Sequence, residues 1–444
     1  MAQRAQRLLE TARKPLPEGT FAVGGGLLIL GLTAYGFQII SFRALSKSDY
    51  TALNGLWVLL FVVAPGVFLP LEQEVGRALA HRRAIGIGGG PLVKRAALLG
   101  AILTGSLVVA SLIAGGPLTD RLFHGQTALL ACFAIALAAY AVEHLTRGTL
   151  SGNGRFGPYG LLLGAEGLVR LGPCVALWVA GVDEPFYYGL ALAIPPLIAS
   201  AIAVFGQRGL LAPGPEAPYS ELSSRLGYLL LGSVLAQTLG YAAFLGASVL
   251  ATTGSERDAV ADFIVGFFLA RIPILLFQAV QAALLPKLAG LAGAGRHDEF
   301  MVGLRRLIAV VVGIGVIGVV AGFTVGPWAG SILFGEKFTL GHRDLALLAA
   351  GSGAFILALT LAQALIALMG HARAAAAWAF GILGFVVVTA LGDDLFLRVE
   401  LGFLAGSVIA AVSTGAFLLQ RIRAGVPDSV TPLVEAIERE PLEI

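Results

Sequence analysis

The sequence predicts an all-α polytopic membrane protein with about 12 transmembrane helices in two six-helix lobes. Of its 444 residues, 57% are hydrophobic and 13% are charged, whereas charged residues make up roughly 25% of ordinary soluble domains. The mean hydropathy is +0.86, and the apolar residues fall in runs of roughly 20, the length that crosses a bilayer core. The 59 glycines suit closely packed membrane helices. This composition is typical of a membrane bundle, and we expect no nucleic-acid partner.

The apolar runs define the order of the spans and the division into lobes. The first run is too long for the core of a signal peptide, so we expect it to remain as a span. The longest polar connection in the middle of the chain contains three prolines and divides the two lobes. We expect an amphipathic N-terminus at 1–20, an N-lobe at 21–206, a linker at 207–225, a C-lobe at 226–420 and a tail at 421–444. The predicted spans are 21–40, 50–71, 96–115, 126–146, 159–180, 186–205, 226–251, 262–285, 307–325, 345–369, 374–391 and 401–419.

The distribution of basic residues predicts the orientation in the membrane. With the N-terminus in the cytoplasm, 21 of the 30 lysines and arginines fall in cytoplasmic segments and 7 in external ones. Cytoplasmic loops carry such an excess of positive charge. We therefore expect a multi-pass protein of the inner (plasma) membrane with both termini in the cytoplasm.

The eighth predicted span, 262–285, carries Arg271 near its middle. A charge at that depth costs about 2.5 kcal/mol or more unless it faces a cavity or a partner. Helical geometry places Gln278 on the same face, Gln281 about 80° away and Asp262 on the opposite side. Two interpretations remain open: Arg271 pairs with a carboxylate on a neighbouring helix, or it faces a water-filled passage and binds an anion.

Two further polar groups lie in the N-lobe. Glu166 and Arg170 are four residues apart in span five, so they share a helix face and form either a structural pair or part of a site. Glu143 and His144 lie with Arg147 at the inner end of span four. They either relay a proton or contact a phosphate, or they are interfacial residues that reach water.

A binding site for a sugar phosphate needs cations and uncharged hydrogen-bond donors. Arginine suits the phosphate because its planar fork stays protonated. Arg271 and Arg43 are the first candidates, and Arg170 is third because Glu166 competes for it. We find no catalytic constellation or metal-binding spacing in the sequence and expect no cofactor. The glutamines inside the spans either supply uncharged donors to the substrate or bond to neighbouring helices: Gln38, Gln237, Gln278, Gln281 and Gln363.

Four segments resemble those of a known family. They are FRALSKSDYTALNGLWVLL after the first span, LEQEVGRALAHRR after the second, RGTLSGNGRFGPYG after the fourth and FLARIPILLFQAVQAALLPKLA in the eighth. In these segments, and in layout over nearly the whole chain, the protein resembles the Wzx-type polysaccharide flippases. These belong to the multidrug/oligosaccharidyl-lipid/polysaccharide (MOP) exporter superfamily and have a MATE-like fold.

This resemblance implies two lobes that open alternately to either side of the membrane. It implies a substrate that is a sugar or oligosaccharide on a polyprenyl phosphate or diphosphate, moved from the inner to the outer leaflet for cell-envelope polysaccharide synthesis. The family binds the phosphate through arginines, a role that falls here on Arg271 and Arg43. Membrane lipids are expected partners, together with glycosyltransferases or a polymerase of the same pathway.

Two other functions remain open. A multidrug exporter of the same superfamily, driven by Na⁺ or H⁺, would use acidic residues in the first, seventh or tenth span, and these three spans contain none. An integral-membrane glycosyltransferase or polymerase would need an acidic base or metal ligand in a sizeable external loop. The predicted external loops are short, and the first offers only Asp49. We therefore expect a transporter and not an enzyme.

Overall fold

A computed structural model describes residues 19–222, 226–274, 296–335 and 338–423. These residues form sixteen α-helices and one 3₁₀ turn, Tyr219–Glu221. Ten helical segments are long and apolar enough to cross a membrane, and a bent pair of helices raises the number to 11. The predicted all-α polytopic fold is confirmed for the described part of the chain. The helices are α1 (Thr20–Ala44), α2 (Lys47–Ala84), α3 (Gly90–Ile113), α4 (Gly115–Arg121), α5 (Ala128–Gly152), α6 (Phe156–Val179), α7 (Pro185–Ala193), α8 (Pro195–Val204), α9 (Leu226–Gly240), α10 (Ala242–Leu250), α11 (Gly254–Leu269), α12 (His297–Thr324), α13 (Gly326–Phe334), α14 (His342–Ala367), α15 (His371–Ala390) and α16 (Leu395–Arg423).

Helix α2 is longer than the span that the sequence predicts at 50–71. It has 38 residues and is capped at its start by Ser46, whose side chain accepts from the backbone N–H of Asp49. At 1.5 Å per residue it is about 57 Å long, well beyond a bilayer core of roughly 30 Å. The C-terminal part of α2 extends to one end of the bundle, where residues 85–89 and 205–222 also lie. We call this end the linker end. The opposite end, with the turn at 45–46, is the far end.

Two predicted spans are broken into shorter helices. The sixth divides into α7 and α8 before Pro195 and Pro196, because a proline has no N–H to donate and disfavours helix in the residue before it. The seventh divides at Tyr241, where α9 and α10 meet at an angle of 61°. The second break has no proline, and the sequence predicted a continuous helix there.

The helices of the second half pack in an order that corresponds to the first. We call α1–α8 the N-lobe and α9–α16 the C-lobe. In the N-lobe, α1 of the first span packs against α6 of the fifth, and in the C-lobe α9 packs against α15 in the same way. The α1–α6 contact is close: a Cβ added to Gly26 would lie 2.3 Å from the carbonyl oxygen of Gly160. Glycine is therefore required where these two helices meet. The lobes contact each other along α2, which packs against α9 and α11.

The linker between the lobes is attached to the N-lobe by one buried arginine. Arg82, at the linker end of α2, is 2% exposed. Its Nε and Nη2 donate to the two carboxylate oxygens of Glu221 at 2.7 and 2.9 Å. Its remaining bonds go to the carbonyl oxygens of Gly88, Pro215 and Glu216. Arg82 therefore holds the linker against the N-lobe as far as the 3₁₀ turn.

We expect Arg82→Ala to lower the free energy of unfolding by about 3–5 kcal/mol, because it leaves Glu221 and three carbonyls without their donor. The hydrogen bond from Arg82 lowers the pKa of Glu221. Its contribution to stability is therefore complete above the unfolded pKa, about 4.3, and is lost as the pH falls through the lower folded value.

The measurement is thermal unfolding of the purified protein in detergent at pH 7 and at pH 3. Arg83→Ala, at the exposed neighbour, is the matched control and should unfold like the wild type. If Arg82→Ala unfolds at the wild-type temperature at both pH values, Arg82 does not hold the linker.

Candidate functional site

A cavity of about 380 Å³ lies between the two lobes. Its walls come from α1, α2, α5 and α6 of the N-lobe and from α9 and residues 268–274 of the C-lobe. A second cavity of about 220 Å³ shares Leu69, Gln237, Arg271 and Ile274 with the first and continues toward the linker end. We call the first the central cavity. Pockets of this kind, mostly apolar with a few converging polar groups, are typical binding sites.

Aromatic rings form much of the wall of the central cavity. Trp57 stacks on Phe61 with their ring centroids 4.7 Å apart, and it meets Phe268 of the other lobe edge to face at 5.9 Å. Tyr35 donates from its hydroxyl to the carbonyl oxygen of Phe268 at 3.1 Å. These contacts join the lobes on the far-end side of the cavity and give it rigid, amphipathic walls.

Arg271 lies on the wall that the C-lobe contributes to both cavities. Its guanidinium carbon is 4.3 Å from the ring centre of Tyr241 and 5.0 Å from that of Phe267. One nitrogen donates to the carbonyl oxygen of Gly240. No carboxylate pairs with Arg271 among the described residues, and the undescribed segment 275–295 contains no Asp or Glu. The guanidinium thus keeps donors available on a half-buried surface that faces the cavity.

The backbone at Arg271 differs from the prediction. The sequence predicted one helix over 262–285 with Arg271 near its middle. The structure has α11 beginning earlier, at Gly254, and ending at Leu269, with Arg271 in the turn that follows. The helix starts early because Thr253 and Glu256 form a capping box. Gln278 and Gln281 lie outside the described residues.

Glu166 and Arg170 meet on α6, as their spacing predicts. They are 2% and 1% exposed and form an ion pair. Tyr140 on α5 donates its hydroxyl to Glu166 at 3.1 Å and accepts from Arg170 at 3.2 Å. Arg170 also lies over the ring of Trp57 at 5.7 Å. Both members of the pair line the central cavity while satisfying each other.

Glu143 and His144 are buried inside the lobe, and His144 lines the central cavity. His144 Nδ1 is 2.7 Å from a carboxylate oxygen of Glu72 on α2. Arg147 lies 3.4 Å from both Glu72 and Glu143. Tyr159 donates its hydroxyl to Glu72 at 3.0 Å. Glu143 and His144 therefore do not extend to water at the membrane interface, contrary to one of the two interpretations of the sequence. We call the following set the N-lobe cluster: Glu72, Tyr140, Glu143, His144, Arg147, Tyr159, Glu166 and Arg170.

The sequence analysis did not single out Glu72. Glu72 lies just beyond the second predicted span, which ends at Leu71. The signal that would have found it is the absence of any glycine, asparagine or proline turn between residues 71 and 75. An unbroken helix there keeps Glu72 against α5, where it is 6% exposed.

The predicted glutamines differ in their surroundings. Gln38 lines the central cavity, and its Oε1 accepts from the hydroxyl of Tyr50 at 2.9 Å, whereas its Nε2 has no partner among the described residues. Gln237 lines both cavities beside Arg271. Gln363 lines the second cavity. Each of the three therefore lies in the wall of a cavity between the lobes.

Arg43, the other candidate phosphate ligand, does not line the central cavity. It lies at the far end of α1, and its Nη2 donates to the carbonyl oxygens of Ile332 and Leu333 on α13 at 3.1 and 2.8 Å. The carbonyls near a helix C-terminus lack intrahelical donors and attract a cation. Arg43 satisfies them and so joins the two lobes.

A second contact joins the lobes at the same end. Lys47, the first residue of α2, lies 3.0 Å from Asp262 on α11. Asp262 also accepts from the hydroxyl of Thr339 at 2.7 Å. We call Arg43, Lys47, Asp262 and their partners Ile332, Leu333 and Thr339 the far-end clasp. The clasp joins the two lobes at the far end, whereas the central and second cavities lie toward the linker end.

Sequence comparison finds similar proteins that cover most of the chain. No family model matches the chain. An uncharacterized protein of Mycobacterium tuberculosis is 26% identical over 451 aligned positions, which cover 95% of this chain and 98% of that protein. A second one from the same organism is 24% identical over 408 positions, which cover 87% and 89%.

The similar solved structures are transporters. A multidrug resistance MATE family transporter of the MOP superfamily, in its inward-facing conformation, matches with a TM-score of 0.69 and 17% identity over 89% of this chain and 94% of that one. Its outward-facing counterpart matches with a TM-score of 0.66 and 15% identity, over 91% of this chain and 94% of that one. A third match is a MOP superfamily transporter from Pyrococcus furiosus, described as having a binding pocket of reverse polarity. Its TM-score is 0.66 and its identity 14%, over 93% of this chain and 99% of that one. The chain therefore has the MATE-like fold of these transporters.

Proposed function

We propose that the protein is a flippase that moves a polyprenyl-(di)phosphate-linked sugar or oligosaccharide from the inner to the outer leaflet by alternating access. One observation carries this proposal: Arg271 faces the cavity between the lobes and has no acidic partner among the described residues. A guanidinium in that position can grip two oxygens of a phosphate.

The surroundings of Arg271 support a sugar phosphate as the substrate. Gln38 and Gln237 offer uncharged hydrogen-bond donors, and the aromatic walls offer flat apolar surfaces. The prenyl tail would stay in the lipid while the polar head crosses between the lobes. With the N-terminus in the cytoplasm, the closed far end is external and the cavities lie toward the cytoplasmic side, where such a lipid is made.

We further propose that the protein lies in the inner membrane with both termini in the cytoplasm. Its partners there would be the glycosyltransferases or the polymerase that make and consume the lipid-linked sugar. Similarity to solved transporters supports a non-enzymatic role.

A cation-coupled multidrug exporter is the second candidate. It is favoured by the carboxylates of Glu72, Glu143 and Glu166 beside an aromatic-walled cavity, a setting that also suits an organic cation. These acids lie on α2, α5 and α6 and not in the first, seventh or tenth span, where the sequence analysis sought them.

Reconstitution separates these functions. The full-length protein is placed in liposomes with a fluorescent polyprenyl-diphosphate-linked sugar, and the rate at which the probe reaches the opposite leaflet is measured. Parallel liposomes are loaded with a lipophilic cation, and a third sample tests sugar transfer to the lipid. Flipping of the lipid-linked sugar supports the proposal. Efflux of the cation without flipping supports the exporter, and sugar transfer supports an enzyme.

A further inference from the structure

We propose that the N-lobe cluster takes up one proton from solvent when an anionic group binds in the central cavity. This inference rests on the proposed function, since it concerns an anionic substrate at the same site. It differs from simple exchange, in which the proton and the substrate replace each other.

The charges of the N-lobe cluster do not balance without a proton. The cluster contains three carboxyl groups, on Glu72, Glu143 and Glu166, and only two guanidiniums, on Arg147 and Arg170. All five side chains are more than four-fifths buried. If every carboxyl is ionised and His144 is neutral, one negative charge remains unmatched inside the lobe. Buried charges without a partner are strongly unfavourable, so a bound proton stabilises the cluster.

Glu143 is the group best placed to hold that proton. Glu72 is satisfied by His144, Tyr159 and Arg147, and Glu166 is satisfied by Arg170 and Tyr140. Glu143 has only a long contact of 3.4 Å with Arg147. Its other oxygen, Oε2, is buried and has no hydrogen-bond partner among the described residues.

A path for the proton leads through residues on the cavity wall. His144 and Arg147 both line the central cavity, and they lie next to Glu143 on α5. His144 presents its ring between the cavity and Glu72. Water in the cavity supplies the proton to the cluster, and the carboxylate of Glu143, which holds the proton, becomes a neutral acid.

Other helices packed against α5 add no competing charge to the cluster. Helices α7 and α8 contain no charged residue. Helix α4 carries Asp120 and Arg121, which lie at the far end. Lys94 and Arg95 lie in the first turns of α3 at the linker end, where Arg95 stacks over Tyr219. The groups that act on Glu143 are thus those of α2, α5 and α6 within the cluster itself.

The charge of the cluster affects what binds opposite Arg271. A phosphate held by Arg271 shares the cavity with the N-lobe wall, so an unmatched negative charge there repels it. Protonation removes the repulsion, and by linkage a bound anion must raise the proton affinity of the cluster by the same factor. Affinity for an anion therefore falls as the pH rises, whereas affinity for a cation rises. The sign of the pH dependence distinguishes the two classes of substrate.

Calorimetric titration of the purified full-length protein tests the proposal, with farnesyl diphosphate as the anionic probe. Titrations in two buffers of different ionisation enthalpy give the number of protons taken up. We expect uptake of up to one proton by the wild type, and an affinity that falls about fivefold or more between pH 6 and pH 9, the lower end of typical coupling between sites.

Glu143→Gln imitates the protonated acid and serves as the diagnostic variant. Its affinity for the probe at pH 9 should stay close to its affinity at pH 6. Any proton uptake that remains in this variant measures protonation of the diphosphate itself. Glu400→Gln is the matched control, because Glu400 is a buried carboxyl in the C-lobe that does not line the cavity. It should behave as the wild type.

The outcomes separate this inference from the proposed function. Binding of farnesyl diphosphate with the same proton uptake in the wild type and in Glu143→Gln overturns the inference alone. Failure to bind the diphosphate, together with binding of tetraphenylphosphonium that strengthens as the pH rises, overturns the proposed function. If Glu143→Gln does not fold, the wild type alone still tests the inference. A pH dependence of binding that the titration of the free probe fully accounts for then overturns it.

Discussion

Replacing Arg271 with alanine is expected to reduce flipping of a polyprenyl-diphosphate-linked sugar at least tenfold. A hydrogen bond to a charged group contributes about 1.5–3 kcal/mol, which corresponds to a factor of roughly 10–150 in binding. Arg271→Lys should recover only part of the activity, because an ammonium lacks the planar fork that grips two phosphate oxygens. The measurement is the initial rate of probe movement in liposomes, normalised to the amount of folded protein.

A matched arginine variant controls for the loss of positive charge. Arg343 is exposed at the far end and pairs with the adjacent Asp344, so Arg343→Ala should flip the probe like the wild type. Wild-type flipping by Arg271→Ala, with normal membrane insertion, would show that the phosphate is bound elsewhere.

Reversing one charge of the far-end clasp should reduce flipping at least tenfold, and reversing both should restore most of it. Lys47→Asp or Asp262→Lys places two like charges where an ion pair now closes the far end. Because Asp262 is buried, this repulsion is only weakly screened. The closed state then loses population relative to the open one, by about tenfold for each 1.4 kcal/mol. The double variant recreates the pair with its charges exchanged.

The reactivity of a cysteine placed at the far end reports the population of the closed state directly. Ser248 lines a cavity between the lobes at the far end, so Ser248→Cys should react faster with an impermeant maleimide in the single variants than in the double variant. Arg296→Glu is the control, since its pair with Glu299 is exposed and lies away from the lobe interface. Equal labelling rates in all variants would mean that the clasp does not close the far end.

The sequence predicts the fold class because the signal is repeated along the chain. Each apolar run has the length of a bilayer core, so an error in one span leaves the class unchanged. The breaks are less visible. Pro195 and Pro196 mark the one between α7 and α8, whereas the bend at Tyr241 is preceded only by Gly240, one of 59 glycines, and depends on tertiary packing.

Prediction of the site was better for residues deep in apolar runs than for those near the ends. Arg271, Glu166 and Arg170 stand out because a charge in an apolar run requires a partner or a cavity. Arg43 lies where a span ends, and composition cannot distinguish a cation that lines a passage from one that satisfies helix carbonyls. Glu72 also lies where an apolar run ends. The absence of a turn predicts that the helix continues past Leu71 but not that this part of it packs within the bundle.

The bend between α9 and α10 gives Arg271 a role in the geometry of its own lobe. In an unbroken helix the carbonyl of Gly240 would accept from the N–H of residue 244. Here the helices meet at 61° and the carbonyl accepts from Arg271. If the proposed anion draws the guanidinium away, this oxygen is left to accept from the amide of the next turn. We then expect anion binding and straightening of the seventh span to favour each other.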